Sequence, residues 1–555
     1  MVSQEAMDQR FSSCRGVSFE IQSHRDPFAI DRHVAPTPKL WLPWSSNSSK
    51  RIVPTSGAII SRSTSRASSH FCDVDTDDDA DNVLINIEEG YELDYQLPLP
   101  PQVQELPLAP SKKIVPNKPS NKPKVESRLS VILLDQGMFT VYKRLFVVCL
   151  TLNITGLVLA ATGHFRYARD HATLFSIGNL LALILCRSEA FLRVVFWLAV
   201  NVFGHPRVPL RLKTAITSLL QSLGGIHSSC GVSSVAWLTY SLILTLKDRD
   251  STSNEIIGVA SAILALLCLS CLAAFPLVRH LHHNVFERTH RFTGWLSLIL
   301  LWAFIVLTKS YDPDTKSYTK DVGSKLVKEQ EFWFTLAITI LIIIPWLTVR
   351  RVPVNVSAPS GHASIIKFAG GVKPGILGRI SPSPMSEWHA FGIISDGKDE
   401  HMMLAGAVGD FTKSLVSNPP SHLWVRQVHF AGLPYLVNMY NRVLVVATGS
   451  GICVFLSFLL QQGPAEVCFL WVAKGIEQNF GKEIKEWMSN HPKDKVIVHD
   501  TAVMGRPNVS EMSVEAAKKF GAEVVIVTSN PEGSRDVVNA CKSKGIPAFG
   551  PIWDS

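Results

Sequence analysis

Read for apolar positions, the chain changes character near residue 128 and again near residue 351. Between those points six runs, 144–162, 172–186, 214–246, 256–278, 292–308 and 332–349, are predicted to be membrane spans. A helix needs about 20 apolar residues to cross a bilayer. The second run is short and merges into RSEAFLRVVFWLAVNVFG (187–204). Its arginines interrupt the pattern and predict a span followed by an amphipathic segment at the membrane surface. Before residue 128 no apolar residue repeats at helical spacing. Ser, Pro and charge dominate there, with an acidic run DVDTDDDAD at 73–81, so residues 1–127 are predicted to be a disordered tail. Residues 1–10 lack the charged-then-apolar order of a signal peptide.

After 351 the apolar runs shorten to strand length. ASIIKFAGG, WHAFGIISD and LWVRQVHFAG, with Gly and Pro turns between them, predict a small β-barrel over 352–441. From 442 to 555 strands alternate with helices. RVLVVAT, VCFLWVAKG, KVIVHDT and AEVVIVTSNP read as buried strands; ICVFLSFLL and EMSVEAAKKFG read as helices. That alternation predicts a doubly wound parallel sheet. The predicted fold class is thus a membrane α-helical bundle (128–351), a small barrel, and an α/β sheet.

Composition adds modestly. Mean hydropathy is +0.18, charged residues are 18%, and the net charge is +8 with pI ≈ 8.9. No nucleic-acid motif accompanies that charge. Lys143, Arg144, Arg187, Arg193, Arg207, Arg211, Lys213, Arg279, Arg288, Arg291, Arg350 and Arg351 crowd one set of helix ends. The opposite set carries Asp248, Asp250, Asp312 and Asp314. Positive flanks face the cytosol, so both termini and everything after 351 are expected there, with membrane lipid as a partner. The ten cysteines form no disulfide framework, which fits a reducing compartment. The one C-x-x-C, Cys268–Cys271, lies in an apolar run and reads as packing.

Candidate chemistry gathers at the carboxyl ends of the predicted strands, on loops starting at Thr448, Ala473, Asp500 and Thr528. In TGSG, Gly449, Ser450 and Gly451 make a tight turn between strand and helix. Glycine there lets backbone amides approach a pyrophosphate. Lys413 and Lys474 supply charge for phosphates, Lys474 for the 2′-phosphate of NADPH; each also reads as a solvated surface lysine.

Six helices, a barrel and a nucleotide-type sheet, in that order, resemble the ferric reductase/NADPH oxidase superfamily. The C-terminal half resembles ferredoxin–NADP reductase. EWHAFGIIS (387–395) is similar to the flavin motif H-P-F-T-I, with His389, Phe391 and Ile393 matching, but with Ala390 for Pro and Gly392 for Thr. GDFTKSL (409–415) resembles a segment beside the FAD pyrophosphate, which implies phosphate contacts for Thr412 and Lys413. TGSGI (448–452) and FLWVAKGIEQNFG (469–481) resemble the NAD(P)H-binding loop and second strand. Together with HHNVFERTHRFTGW, these motifs resemble fungal TmpA-type integral membrane flavoproteins. Trp553 matches the position of a terminal aromatic that covers the flavin, and also reads as an ordinary tail residue.

The superfamily holds two haems between its third and fifth helices, on paired histidines about fourteen residues apart. His227 and His290 match the inner pair; the outer positions are Ser241 and Phe304. His227 lies 20 residues before Lys247 and His290 19 before Lys309, so both sit at a similar depth. The resemblance therefore allows at most one haem b, and both histidines also read as helix-to-helix hydrogen-bonding residues. His280, His282 and His283 fall in a loop as interfacial or hydrogen-bonding residues. The implied function is an NAD(P)H-dependent, FAD-containing oxidoreductase passing electrons to an unnamed acceptor, with no protein nucleophile or acid–base pair. The rival is a non-catalytic membrane protein that keeps the fold for partner binding.

Overall fold

The computed structural model describes residues 11–14, 17–20 and 140–551, apart from 321 and 493. Most of the expected tail, and Trp553, lie outside the described residues. Within the tail, Phe11–Cys14 and Val17–Glu20 pair as an antiparallel strand pair.

The longer helices of the helical part are α1 (Val141–Ala161), α2 (Ala172–Leu185), α3 (Glu189–Phe203), α4 (Leu210–Gln221), α5 (Leu223–Lys247), α6 (Asn254–Ala273), α7 (His283–Ser310) and α8 (Gln330–Leu347). Five of these, α1, α5, α6, α7 and α8, are long and apolar enough to cross a membrane. The expectation of six is corrected for α2, whose 14 residues reach about 21 Å. The run 214–246 is not one span. The chain breaks at Ser222, which closes α4 and opens α5. Gly225 lies just beyond, where a Cβ would overlap the backbone oxygen of Tyr142. Close packing of α1 on α5 therefore requires glycine at that point. The expected start of the fifth span at 292 also moves, because α7 begins at His283 and carries the H-N-V-F-E-R stretch inside the helix.

Polar side chains set the register of this bundle. Asn153 Oδ1 accepts from Asn179 Nδ2 at 2.8 Å and from Trp237 Nε1 at 3.0 Å, and Ser176 donates to the Ser234 carbonyl at 2.9 Å. Such groups find no partner in lipid and so tie α1, α2 and α5 together.

The antiparallel sheet contains β1 (Val349–Pro353), β2 (Asn355–Ser360), β3 (Ala363–Ala369), β4 (Ile376–Ser381), β5 (His389–Ser395), β6 (Glu400–Gly406), β7 (His422–Arg426) and β8 (Phe430–Ala431). Its order is β1-β7-β4-β5-β6-β3-β2, with β8 also on β4. β1 starts inside the apolar run that was expected to be membrane-spanning to 349. Side chains alternate between two cores. Ile366, Ile380, Ile393 and Met403 face the inner one, which α3 and α4 complete with Phe196, Ala199 and Leu220. Ile365, Ile394, Met402 and Leu404 face the second sheet.

That second sheet is parallel: β9 (Arg442–Thr448), β10 (Glu466–Ala473), β11 (Val496–Asp500), β12 (Val524–Thr528) and β13 (Ala548–Phe549). Its order β11-β10-β9-β12-β13 is the doubly wound arrangement with β9 central. The helices α11 (Val509–Phe520) and α12 (Pro531–Ser543) pack one face through Ala516, Ala517, Val537 and Cys541. On the other face lies α10 (Lys482–Ser489), with the antiparallel sheet beyond it. The helix expected after β9 is instead a 3-10 segment, Gly449–Val454, and a single turn, Ser457–Leu460. Ile452 to Leu456 are all buried because this segment is wedged between the two sheets.

Candidate functional site

The order of the parallel sheet reverses between β9 and β12, and ligands of such sheets bind at the carboxyl ends flanking that point. Here the two loops are joined directly: Thr448 Oγ1 lies 2.8 Å from Ser529 Oγ. Gly449 has φ +53, a left-handed conformation that glycine adopts without strain. Its carbonyl accepts from Trp471 Nε1 at 2.8 Å. Ser450 and Gly451 are buried, and Thr448 is half-buried. Asn530 opens α12 by accepting from Gly533 N at 2.8 Å.

Beyond β10 and β11 the same edge opens into a cavity of about 720 Å³. Trp471, Gly475, Gln478, Lys482, Lys485 and Asp500 are among its lining residues. Asp500 shapes it, accepting from the backbone N–H groups of Gly475 (2.8 Å), Ile476 (2.9 Å) and Ala502 (3.0 Å). Burial pushes this carboxyl up, but the three N–H groups outweigh burial and hold it below the usual carboxylate range. Lys485 pairs with Glu477. Lys474 is exposed beside Gly475, with its carbonyl accepting from Asn479 Nδ2 at 2.8 Å. Lys482 and Lys485, rather than Lys474, line the cavity. Sequence reasoning missed both, and missed Ser529. Only the loop starts at Asp500 and Thr528 pointed this way. The edge thus holds a tight glycine turn and hydroxyls at the reversal point, and beside them a cavity in which Lys482 and Lys485 are accompanied by Glu477 and Asp500.

The flavin positions are arranged differently. His389 is buried, its ring stacked on Phe411 at 4.5 Å and 13°. Ile393 is fully buried in the inner core, with Phe391 half-buried on the same face of β5. Thr412 is buried and its hydroxyl is committed to its own turn. It accepts from Val408 N at 3.1 Å and Gly409 N at 3.0 Å and donates to the Gly409 carbonyl at 3.0 Å. Only Lys413 is exposed, in the first turn of α9 (Asp410–Ser417). The opposite face of β5 is shut, since a Cβ at Gly392 would stand 2.7 Å from Val454 Cα and 2.8 Å from Val454 N. Ser457 bolts the wedge down by donating to the Ile393 carbonyl at 2.7 Å and accepting from Ser395 N at 3.0 Å. As arranged, these residues do not fit an isoalloxazine ring between the two sheets.

His227 stands on α5 and His290 on α7. His227 Nδ1 lies 2.9 Å from the Leu183 carbonyl, and His290 Nδ1 lies 2.8 Å from Ser270 Oγ. A histidine whose Nδ1–H is held by a carbonyl presents Nε2 as a lone-pair donor, which fits an axial haem ligand. At the outer positions, Ser241 bonds Thr173 at 2.8 Å and Phe304 packs against the bundle core. His282 is exposed; the side chains of His280 and His283 lie outside the described residues. Among the described residues no group of three or more His, Cys, Asp or Glu is placed to hold a metal ion.

Fold and edge together define a nucleotide-type α/β sheet coupled to an antiparallel sheet and a helical bundle. Residues 433–555 match the family described as adenylate-forming reductase 03009, C-terminal domain. Two curated relatives from Coprinopsis cinerea extend the match. Adenylate-forming reductase 06235 is 34% identical over 432 residues, 76% of this chain and 41% of that protein. Adenylate-forming reductase 03009 is 32% identical over 440 residues, 78% of this chain and 42% of that protein. The chain thus spans about two-fifths of the length of these relatives. Among solved structures, a Plasmodium falciparum ferredoxin-NADP+ reductase with 2′P-AMP matches at TM-score 0.28 and 10% identity, over 36% of this chain and 95% of that one. An intact type IV self-sufficient cytochrome P450 monooxygenase matches at TM-score 0.29 and 9% identity, over 67% and 72%. The relatives are named as reductases; those names do not include the ferric reductase/NADPH oxidase superfamily expected from the motifs.

Proposed function

We propose that this chain is a membrane-embedded oxidoreductase that draws electrons from NAD(P)H bound at the carboxyl edge of the parallel sheet. One observation carries the reading: the Thr448–Ser529 contact unites the glycine turn and the α12 loop at the point where strand order reverses. The reductase relatives and the cavity beside Lys482 support it. NAD(P)H supplies a hydride when bound. Lys482 attracts its phosphates, Lys485 stands paired with Glu477 beside it, Asp500 holds the two loops of the cavity in place, and Trp471 closes the wall beneath Gly449. The five apolar helices and their basic flanks support a bilayer setting, with the sheet on the cytosolic side and an acceptor that is cytosolic or dissolved in the membrane. Ferric-reductase and TmpA-type affinity rest on the motifs. One haem b between His227 and His290 rests on the motif resemblance and on the Nδ1 contact of His227 to the Leu183 carbonyl, and its test is a haem absorption band that either His→Ala change abolishes.

FAD is the expected cofactor that the geometry does not favour, and no hydride path through it follows from this arrangement. The shut face of β5 favours a second reading, in which the fold binds NAD(P)H without passing electrons on. Titration of the purified full-length protein with NADPH and NADH, followed by nicotinamide fluorescence, tests the binding. Saturable binding that weakens in Lys482→Glu is expected, and no binding of either nucleotide overturns the proposal. The absorption spectrum of the same sample separates the readings. Flavin released on denaturation supports the reductase, whereas a colourless protein that binds NAD(P)H but does not oxidise it supports the second.

A further inference from the structure

Helix α3 carries apolar residues on two opposite faces. One face is part of the inner core of the antiparallel sheet, through Phe196 and Ala199, while Val200 and Phe203 pack toward the parallel sheet as well. The other face leaves Val194 (60% exposed), Trp197 (54%), Leu198 (52%) and Val202 (53%) without cover. The spacing of Val194, Leu198 and Val202 is i, i+4, i+8, one stripe down the helix.

Two polar side chains of α3, Arg193 and Asn201, are exposed with the stripe, but both spend a donor on the protein. Glu189 turns toward the antiparallel sheet, pairing with Arg379 and lying 3.4 Å from Arg426. Arg193 Nη1 donates to the His429 carbonyl at 2.8 Å. Asn201 Nδ2 donates to the Trp197 carbonyl of its own helix at 2.9 Å. An outer face of four large exposed apolar residues with Arg193 and Asn201 among them is the mixed surface of a helix at a membrane interface rather than one built for water alone. Exposed Arg207 and Arg211 follow directly, offering cations to anionic headgroups. Only three residues separate α3 from α2, which lies inside the helical bundle.

We propose that the outer face of α3 is a lipid-binding surface seated in the cytosolic leaflet. The helix is then one wall with two tenants: acyl chains outside and the core of the antiparallel sheet inside. The reductase part is therefore not a soluble module on a flexible tether, because the bilayer surface and its core share a single helix. Lipid composition acts on that core through α3. The inference rests on the membrane reading of the five apolar helices.

The test uses full-length protein in phospholipid nanodiscs, carrying the photo-crosslinker benzoylphenylalanine at one position at a time. Leu198 probes α3, Leu152 (68% exposed on α1) probes the membrane spans, and Val503 (82% exposed, beyond β11) probes a surface assigned to water. Phospholipid adducts at 152 and 198, several-fold above the yield at 503 by mass spectrometry, are the expected result. Adducts at 152 but not 198 overturn the proposal and leave the membrane reading standing. A cross-linked dimer at 198 overturns it in favour of a second copy of this chain. No adduct at 152 removes the membrane reading and this proposal with it.

Discussion

Gly392→Ala isolates the contact that distinguishes this chain from the flavin motif it resembles. The added Cβ would lie 2.7 Å from both Val454 Cα and Cγ1 and 2.8 Å from Val454 N. Carbon atoms prefer about 3.5–4.0 Å, so the overlap is close to an ångström. A rotamer change at Val454 relieves only the Cγ1 contact; the other two atoms are backbone. The backbone cannot drift cheaply, because Ser457 holds it to β5 through Ile393 and Ser395, and Gln461 Nε2 donates to the carbonyls of Val372 (2.8 Å) and Ser395 (2.7 Å). Overpacking of this kind costs about 1–3 kcal/mol, offset by less than about 1 kcal/mol for removing glycine from a strand. The loss should concentrate in the wedge. Amide hydrogen exchange across 449–461 is expected to quicken by roughly tenfold for each 1.4 kcal/mol lost. Gly361→Ala is the control, since nothing lies within 4 Å of its Cβ. Unchanged exchange at 449–461 in Gly392→Ala would refute the wedge, and an equal effect from Gly361→Ala would show that the change is not local.

Glu189→Gln leaves Arg379 and Arg426 facing each other without their carboxylate; a loss of about 3 kcal/mol should lower the urea midpoint followed by tryptophan fluorescence, and an unmoved midpoint counts against the clamp. Asp500→Ala strips three backbone N–H groups of their acceptor; about 2 kcal/mol and weaker NADPH binding are expected in a fluorescence titration, and unchanged affinity separates Asp500 from the cavity. Burial, helped by His401 and Arg193, pushes His429 down to about 4, against about 6.5 in the unfolded chain. The unfolded state therefore takes up the proton first, and stability present in full above pH 6.5 falls by about 3 kcal/mol as the pH drops toward 4. His429→Gln should flatten that part of the pH profile of the urea midpoint, and identical profiles would show that another group titrates.

Local pattern was enough for much of this protein. Runs of apolar residues near bilayer length located α1, α6, α7 and α8, because a helix in lipid must be apolar along its whole length. Continuous β-branched stretches located β9, β10, β11 and β12, because a central parallel strand is buried on both faces. The turn at Gly449 followed from glycine itself. What escaped the sequence depended on residues far apart in the chain. Ser222 divides an unbroken apolar run because α4 leaves the bundle to pack on the sheets, and hydropathy does not record which neighbour a residue meets. Thr448 and Ser529 are 81 residues apart and meet only because β12 inserts beside β9. Lys482 and Lys485 reach the cavity because Asp500 draws the β10 and β11 loops together. ICVFLSFLL has the composition of a helix, yet Gly392 lets its backbone press against β5, and burial between two sheets outweighs helix propensity. Helix α3 was legible as an amphipathic segment at the membrane surface; what only the tertiary structure decided is that its other face, with Glu189, Phe196 and Ala199, packs on the antiparallel sheet.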